Sequence, residues 1–256
     1  QAAGIPHGSE VTCMSDEIFI IGAGVAGINA ARNAADYGAK VYLLDDTPSI
    51  GGMMARLDKT FPTNDCSICI EAPQMYEVDN HPNIEILTNT EVKKVKKTDE
   101  GFNVRLVKKA RFVDEELCTG CGACFEACPV TVRDEMDGRI FGTRKLAYMP
   151  FPQAVPNVAV IDPDCRYGNR NEEGACVGGC VVDCSQCREC PIALCVKACK
   201  EEGKDAVRLW QSNKKINLTV KSIIVASGIE GAVPAEGLHG YRTCENVITN
   251  MEFERL

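Results

Sequence analysis

The hydrophobic positions in the first part of the chain predict buried strands on either side of one helix. Residues 18–21 are a continuous apolar run, which is typical of a strand in a parallel sheet with both faces covered. A helical stretch follows and ends at Tyr37, with Gly38 in the position that commonly closes a helix. The next apolar run predicts a second strand over residues 41–44. This order of elements indicates an α/β fold.

Later stretches alternate between apolar and polar residues, which predicts half-buried strands. These strands cover 83–88, 91–97 and 102–113, and a turn at 99–101 joins the last two as a hairpin. A further short strand is predicted at 158–161, within a proline-containing connector. The end of the chain predicts a hairpin of 207–210 with 215–220, and then a buried strand over 222–228.

A glycine-rich turn lies between the first strand and the helix. Gly22, Gly24 and Gly27 have the spacing G-x-G-x-x-G, and Asp45 ends the second strand. In dinucleotide-binding folds the first glycine permits the tight turn, the second lets the backbone approach a pyrophosphate, and the third lets the helix pack on the strand. The amide groups at the helix N-terminus favour the phosphates. We therefore predict a dinucleotide site in which Asp45 accepts a hydrogen bond from a ribose hydroxyl.

The residues after the second strand favour FAD over NAD as the dinucleotide. Gly51 and Gly52, with Arg56 shortly after them, resemble the segment that touches the flavin phosphates in glutathione-reductase-like flavoproteins. Gly228 ends the last predicted strand and is the remaining candidate for a contact to the cofactor. The predicted domain is thus Rossmann-like and resembles the FAD-binding domain of thioredoxin and glutathione reductases.

A run of four cysteines carries the second candidate chemistry. Cys118, Cys121, Cys124 and Cys128 have the spacing C-x2-C-x2-C-x3-C-P. That spacing holds a 4Fe-4S cluster in bacterial-type ferredoxins, where the fourth cysteine usually binds a second cluster. A zinc site or a disulfide framework is the alternative, but zinc sites generally use paired C-x2-C segments. An iron–sulfur module with further cysteines downstream is therefore predicted.

Eight more cysteines follow between residues 165 and 199, which is enough for a second cluster. We assign the first three cysteines of the run to the first cluster, with Cys199 as its distal fourth ligand. Cys128 is assigned to the second cluster with three ligands from the set Cys184, Cys187, Cys190 and Cys195. Two explanations stay open for Cys165, Cys176 and Cys180: ligands of a third cluster, or an adventitious insertion.

Cys66 and Cys69 form a separate C-x2-C pair after the predicted flavin segment. Three interpretations of the pair stay open: a redox-active dithiol, two ligands of a cluster, or two small buried apolar side chains. The chain has three histidines and no evident Ser–His–Asp or paired-carboxylate set, so no other catalytic residue is assigned.

The composition argues against several other classes of protein. The net charge is −8 and no basic stripe is present, which disfavours a nucleic-acid partner. No stretch approaches the roughly 18 uninterrupted apolar residues of a membrane span. Of the 16 cysteines, twelve lie between residues 118 and 199, and no secretory segment precedes them. A reducing cytoplasm, in an anaerobic cell, fits these features.

We expect a nucleotide-binding domain that is interrupted by an inserted ferredoxin-like α+β iron–sulfur module, because the strands on either side of the cysteines fit one sheet. Residues 1–13 show no periodic pattern and are expected to be an extension without structure. The expected bounds are 14–113 for the first part of the FAD-binding domain, 114–206 for the inserted module, and 207–256 for the return strands and a truncated end.

Several segments together resemble the flavoprotein A subunit of heterodisulfide reductase. They are the glycine turn, the cysteine run with Val113 and Asp114 before it, and the segments 48–52, 57–62, 65–70, 81–85, 150–156 and 246–256. The resemblance covers residues 14–256. It implies FAD on a thioredoxin-reductase-like domain with an inserted ferredoxin domain. It also implies a flavin that relays or splits electron pairs, including by bifurcation, through clusters to partner subunits.

The chain departs from that family in three respects. It has neither the N-terminal iron–sulfur domain nor the C-terminal ferredoxin domain, so we expect a fragment or a naturally split subunit. Met53 and Met54 stand where the family commonly has an arginine first, which weakens one expected phosphate contact. The second cysteine set is longer and irregular.

Two other functions stay open: a carrier module that binds clusters but no flavin, and an NAD(P)H-dependent oxidoreductase that resembles the small subunit of glutamate synthase.

Overall fold

The fold is built from thirteen strands and five α-helices within residues 16–134, 142–163, 165, 193–229 and 231–254, which are the residues that the computed structural model describes. The strands are β1 (Glu17–Ile21), β2 (Lys40–Leu44), β3 (Lys59–Thr60), β4 (Asp65–Cys66), β5 (Ile84–Leu87), β6 (Thr90–Thr98), β7 (Gly101–Lys108), β8 (Thr131–Arg133), β9 (Thr143–Lys145), β10 (Ala147–Tyr148), β11 (Val160–Ile161), β12 (Lys214–Val220) and β13 (Ser222–Val225). The α-helices are α1 (Val25–Asp36), α2 (Ser67–Asp79), α3 (Ala123–Glu126), α4 (Leu194–Glu201) and α5 (Asn250–Glu254). Two 3-10 segments lie at Met54–Arg56 and Leu238–Gly240. Within these ranges no helix combines the length and the apolar character that a membrane crossing requires.

A parallel sheet with the strand order β13-β1-β2-β5 carries the nucleotide turn. On one face Ile20 and Leu43 pack with Ile28 of α1 and Met75 of α2. The strands are almost continuously apolar because this sheet is covered on both faces. The predicted α/β fold class is confirmed by this arrangement of a parallel sheet and its helices.

An antiparallel sheet with the order β12-β7-β6 covers the other face. Phe19 and Leu44 of the parallel sheet pack there against Val104, Leu106 and Val220. The predicted hairpin of β6 with β7 is confirmed by this pairing. β12 returns from the far side of the cysteine-rich segment and pairs along its whole length with β7. Strands that precede and follow that segment therefore share one sheet.

The strand predicted over 102–113 is wrong at its carboxyl end, because β7 stops at Lys108. Phe112 has a φ of 58°, in the left-handed region, so the extended conformation does not continue through it. Val113 then forms a single antiparallel bridge with Val207. The predicted hairpin of 207–210 with 215–220 is also wrong, because Val207 pairs with Val113 and β12 pairs with β7.

The strand predicted over 222–228 is shorter than expected and is not buried. β13 pairs with β1 on one side and forms the edge of the parallel sheet among the described strands. Ile224 is 37% exposed and Val225 is 69% exposed. The apolar run correctly indicated a parallel strand, but the burial of a strand depends on neighbours that its own sequence does not encode.

The segment between β7 and β12 has an apolar core of its own. Cys124, Cys128, Cys195 and Cys199 are buried in it beside aliphatic side chains such as Leu146. Helices α3 and α4 pack against each other, and two small antiparallel pairs, β8 with β9 and β10 with β11, accompany them. The cysteines thus occupy positions that aliphatic residues would otherwise fill.

Helix α2 has no counterpart among the predicted elements, because Pro73 lies inside it and its sequence has little helical periodicity. Its buried face carries Ser67, Glu71 and Met75, which follow one another at intervals of about one turn. The Glu71 side chain is fully buried, and neither of its carboxylate oxygens has a hydrogen-bond partner within the described residues. Burial raises the pKa of Glu71 to about 7.

We expect the wild type to lose stability as the pH rises, and the Glu71→Gln variant not to show this loss. Burial raises the pKa of Glu71 from 4.5 to about 7, so the folded state binds this proton more tightly than the unfolded state does. The free energy of unfolding therefore falls as the pH rises from about 4.5 to about 7, and then levels off. The loss is on the order of 3 kcal/mol. The free energy of unfolding of the variant, measured by urea denaturation, should therefore gain on that of the wild type between about pH 5 and about pH 8.

The matched control is Glu77→Gln, which changes an exposed carboxylate on the same helix. This control should follow the pH dependence of the wild type. Identical pH profiles for Glu71→Gln and the wild type would contradict the assignment of a buried, unpaired carboxyl.

Candidate functional site

The predicted dinucleotide turn lies where β1 ends and α1 begins, and two of its glycines admit no side chain. A Cβ on Gly27 would lie 1.8 Å from the carbonyl oxygen of Gly22. A Cβ on Gly22 would lie 2.2 Å from the carbonyl oxygen of Ala226, and Gly22 has a φ of 101°. The absence of side chains at these glycines lets α1 approach the carboxyl ends of β1 and β13 closely, which is the helix–strand packing that the motif requires.

The second glycine pair lies against the same turn. Gly51 donates its N–H to the carbonyl oxygen of Ala23 at 2.8 Å and forms a parallel bridge with Gly24. A Cβ on Gly52 would come within 2.8 Å of the Gly24 Cα atom. Among the residues that the structure describes, a Cβ on Gly24 would meet one atom within 4 Å, the Gly52 Cα atom at 3.7 Å. The two segments therefore form one backbone cradle, with open space beside Gly24 at the N-terminus of α1, which suits a pyrophosphate.

Asp45 connects this cradle to the end of β2. Its carboxylate accepts hydrogen bonds from the N–H of Ala23 at 3.0 Å and from the N–H and hydroxyl of Thr47 at 3.0 and 2.7 Å. The residue is 7% exposed, and burial raises its pKa although the hydrogen bonds from Thr47 and Ala23 oppose that shift. Asp45 thus fixes the shape of the turn, and the ribose contact, which its remaining lone pairs would make, stays a prediction.

Arg56 and Gly228 are the other two predicted contacts to the dinucleotide. Arg56 ends the 3-10 segment that begins two residues after Gly52, and this segment packs against α2. Gly228 follows β13 at the carboxyl edge of the parallel sheet, and a Cβ on it would meet no described atom within 4 Å. Both positions are compatible with a cofactor at that edge, and their contacts to it stay predictions.

Four cysteines from two distant parts of the chain line one small apolar cavity. They are Cys118, Cys121, Cys124 and Cys199, and the other lining residues include Val113, Ala159 and Val207. Gly120 and Gly122 have φ values of 67° and 91°, which lets the loop fold back on itself. The structure therefore places the distal residue Cys199 beside the first three cysteines of the run.

The thiols in this cavity affect one another electrostatically. Burial, together with the nearby Cys118, Cys199 and Cys121, raises the pKa of Cys124 to about 12, because neighbouring thiolates would repel a new negative charge. The N–H of Gly120 donates to the Cys118 sulfur at 3.5 Å. Thiols that bind a metal must be deprotonated, and a cation compensates their charge, so the donor set suits a metal cluster.

The donors of the cavity are four cysteines, which is the ligand set of a 4Fe-4S cluster. Within the described ranges no three His, Cys, Asp or Glu side chains are placed so that they could hold one metal ion. The four cysteines instead line one shared cavity, and the corner ligands of a cubane are likewise cysteines.

The remaining predicted cluster ligands are only partly within the described residues. Cys128 and Cys195 are buried in the same core as the first group, and Cys165 packs against it. The Cys128 thiol donates to the carbonyl oxygen of Val130 at 3.7 Å. The other predicted ligands, which lie outside the described residues, are Cys176, Cys180, Cys184, Cys187 and Cys190. The ligands of the second and third clusters stay predictions.

Cys66 and Cys69 are joined by a disulfide bond at the N-terminus of α2. Cys66 is half-buried, Cys69 is exposed, and the N–H of Cys69 donates to the Cys66 sulfur. The interpretation as two buried apolar side chains is wrong, because one of the two is exposed and they are bonded to each other. Helix N-termini lower thiol pKa values and favour redox-active pairs, and no third ligand group joins the pair in the described part of the chain.

Arg111 is a residue that the sequence analysis missed. It is 1% exposed and hydrogen-bonds to the nucleotide-binding part at Pro48 and Thr88, and to the cysteine-rich part at Val158. The available signal was a charged residue next to Phe112 and Val113, immediately before the cysteine run. Charged residues are almost never fully buried unless they are paired, so its burial needs an explanation.

We expect Cys69→Ser to leave the iron content per chain unchanged if the pair is a redox dithiol. The wild type should show two more alkylatable thiols after mild reduction than before it, and the variant should not show this difference. Cys244→Ser, which removes an exposed free cysteine, is the matched control and should keep the difference. A loss of iron in Cys69→Ser, but not in the control, would instead make the pair cluster ligands.

Two family models match the two parts of the site. Residues 17–64 match the family described as FAD dependent oxidoreductase. Residues 111–133 match the 4Fe-4S binding domain. The first match contains the glycine turn, Asp45 and the second glycine pair, and the second contains the cysteine run.

Curated proteins resemble nearly the whole chain. The A subunit of the H(2):CoB-CoM heterodisulfide,ferredoxin reductase of Methanothermobacter marburgensis is 44% identical over 95% of this chain and 33% of that protein. The iron-sulfur A subunit of the CoB--CoM heterodisulfide reductase of Methanocaldococcus jannaschii is 45% identical over 93% of this chain and 32% of that protein. One of the corresponding A subunits of Methanopyrus kandleri is 45% identical over 95% of this chain and 33% of that protein. The chain spans about a third of the length of these relatives, and the resemblance expected from its motifs is confirmed.

Proposed function

We propose that this chain, which is 44–45% identical to A subunits of heterodisulfide reductases over about a third of their length, is an electron-transferring part of such an oxidoreductase. It would pass electrons between FAD and 4Fe-4S clusters. The observation that carries the proposal is that one chain contains both the glycine cradle and a cavity lined by four cysteines from two distant segments.

The proposed FAD site uses the backbone more than side chains. The amide groups at the start of α1 and the open space beside Gly24 would receive the pyrophosphate, with Gly51 and Gly52 closing the cradle from the other side. Asp45 would hold the ribose, and Arg56 and Gly228 would make further contacts. FAD, when bound, supplies the chemistry of electron-pair uptake, and the protein supplies position and burial.

The proposed first cluster is held by Cys118, Cys121, Cys124 and Cys199. A 4Fe-4S cluster is held by cysteine thiolates at its corners, and these four residues line one apolar cavity in which Cys124 and Cys199 are buried. A second cluster would use Cys128 with three of Cys184, Cys187, Cys190 and Cys195. Cys165, Cys176 and Cys180 would serve a third cluster if one is present.

The proposed organisation is an FAD-binding domain that is interrupted by a ferredoxin-like module at about residues 114–206. The pairing of β7 with β12 supports it, because this pairing requires the chain to leave the sheet before the cysteine run and to re-enter it afterwards. The separate core around Cys124 and Cys199 supports it further. Domain bounds of 14–113, 114–206 and 207–256 follow, with 1–13 as an extension.

The proposed partners are other subunits of a heterodisulfide-reductase-like complex. The relatives are named as subunits, and one name includes ferredoxin beside the heterodisulfide. Electrons would leave through the clusters one at a time after FAD has accepted a pair, and flavin-based bifurcation is the form of this transfer that we propose for the whole protein. The proposed compartment is the reducing cytoplasm, because the many thiolates of the clusters must stay reduced.

We expect Gly24→Ala to abolish flavin binding without unfolding the chain. The new Cβ would make only an ordinary contact with Gly52, at 3.7 Å, but it would fill the space that a pyrophosphate needs. Flavin per chain is measured by absorbance after anaerobic reconstitution. Gly231→Ala is the matched control, since its Cβ would also make one ordinary contact at 3.7 Å, far from the turn in sequence. Undiminished flavin in Gly24→Ala would contradict the FAD site.

We expect Cys121→Ala to lose the EPR signal of one cluster on reduction, together with most of the iron of that cluster, about four atoms per chain. Cys244→Ala removes an exposed cysteine outside the site and should keep every signal. Retention of every cluster signal by Cys121→Ala would show that Cys121 is not a ligand. Full iron with no flavin in the wild type would favour the alternative of a cluster-only carrier.

A further inference from the structure

We propose that Arg111 is a positioning residue that raises the reduction potential of the cluster held by Cys118, Cys121, Cys124 and Cys199, and that joins the cluster module to the nucleotide-binding sheet. This inference rests on the proposed function, because it requires the cluster. It adds a role for a residue that is neither a cluster ligand nor a proposed contact to the flavin.

The guanidinium lies at the junction of three chain segments. Its Nη1 donates to the carbonyl oxygen of Val158 at 3.1 Å, in the core of the cysteine-rich part. Its Nη2 donates to the Thr88 hydroxyl at 3.1 Å and to the carbonyl oxygen of Pro48. Pro48 and Thr88 follow β2 and β5, at the same edge of the parallel sheet as Asp45. One side chain therefore ties the cluster cavity to the loops of the nucleotide site.

The fork of the guanidinium is what makes this junction possible. Arginine presents five donors in a fixed plane, whereas lysine presents one ammonium on a flexible stem. The acceptors lie in different segments, at residues 48, 88 and 158, and a single ammonium does not reproduce a fixed, planar set of bonds to them. A lysine at this position would keep the charge but lose the geometry.

The charge of Arg111 acts on the cluster through Cys118. Val158, whose carbonyl oxygen accepts from the guanidinium, belongs to the core against which Cys118 packs, and Val113, two residues after Arg111, lines the cavity. The guanidinium is 1% exposed, so water screens its electrostatic interaction with Cys118 little. Burial lowers the pKa of Arg111, and the neighbouring Glu115 carboxylate opposes this shift. Arginine nevertheless stays protonated in proteins, so the charge is permanent.

The charged side chains around Arg111 do not cancel its positive charge. Glu115 lies 3.3 Å from the Arg111 Nε, and the same carboxylate pairs with Lys108 at 2.6 Å. The three side chains together therefore carry one net positive charge, of which the buried part is the guanidinium. Reduction of a cluster adds one negative charge, and a buried cation nearby stabilises that charge, which raises the reduction potential.

The experiment measures midpoint potentials by EPR-monitored redox titration of the full chain, reconstituted with iron and sulfide without oxygen. Arg111→Met should shift the midpoint of one cluster to a more negative potential, because it removes the buried cation. Arg111→Lys should shift it less. Glu115→Gln should shift it to a more positive potential, because it removes the compensating anion.

Two controls separate a charge effect from a structural one. Thr88→Val removes one acceptor of the guanidinium without changing the charge, and it should leave the midpoint in place. Arg32→Met removes a positive charge from α1, where Arg32 pairs with Glu77 on the surface, and should also leave it in place. If Arg111→Met does not fold, Glu115→Gln decides, because Glu115 is only partly buried.

Each outcome distinguishes this inference from the function on which it rests. Wild-type chain that takes up no cluster overturns the proposed function and, with it, the role of Arg111. Wild-type chain that is loaded with clusters, but whose midpoints equal those of both Glu115→Gln and any folded Arg111 variant, overturns the role of Arg111 alone. Opposite shifts for Arg111→Met and Glu115→Gln support it.

Discussion

The antiparallel pairing of β12 with β7 is the constraint on which the rest of this structure depends. β7 ends at Lys108 and β12 begins at Lys214, so the chain must leave the sheet and return to its neighbouring position after more than a hundred residues. Loop closure over such a distance has an entropic cost that grows only slowly with length, so a long insertion is tolerated if its ends are held together. The segment between these two strands also has an apolar core of its own among the described residues.

Side chains hold the exit and return of the chain together beyond the end of the sheet. The side-chain oxygen of Gln211 accepts hydrogen bonds from the N–H groups of Arg111 and Phe112 at 3.0 and 2.7 Å. The N–H of Ala110 donates to the Asn213 side chain at 2.9 Å, and the bridge of Val113 with Val207 follows. The outgoing segment, residues 110–113, continues directly to Cys118. The cluster cavity therefore begins within a few residues of the sheet. The nucleotide turn and the cavity are thus parts of one connected framework.

Local patterns predicted the elements whose burial is decided locally. The apolar run at β1, the glycine turn and the β6–β7 hairpin each combine a period with a turn residue, and all three are present. The position of Cys199 beside the first three cysteines agrees with the crossed ligand pattern expected for ferredoxin-like spacing. Non-local features could not be predicted in this way. The exposure of β13, the pairing of Val207 with Val113, and the burial of Glu71 and Arg111 all depend on which distant segment packs beside them.

The content of iron, sulfide and flavin per chain, measured on material prepared without oxygen and accompanied by EPR of the reduced form, tests the central claim most directly. We predict one flavin and about eight irons with matching sulfide, or about twelve if a third cluster is present, and a signal on reduction typical of 4Fe-4S clusters. Little iron with tightly held zinc would contradict the account, because the four-cysteine cavity would then serve a structural ion and not electron transfer.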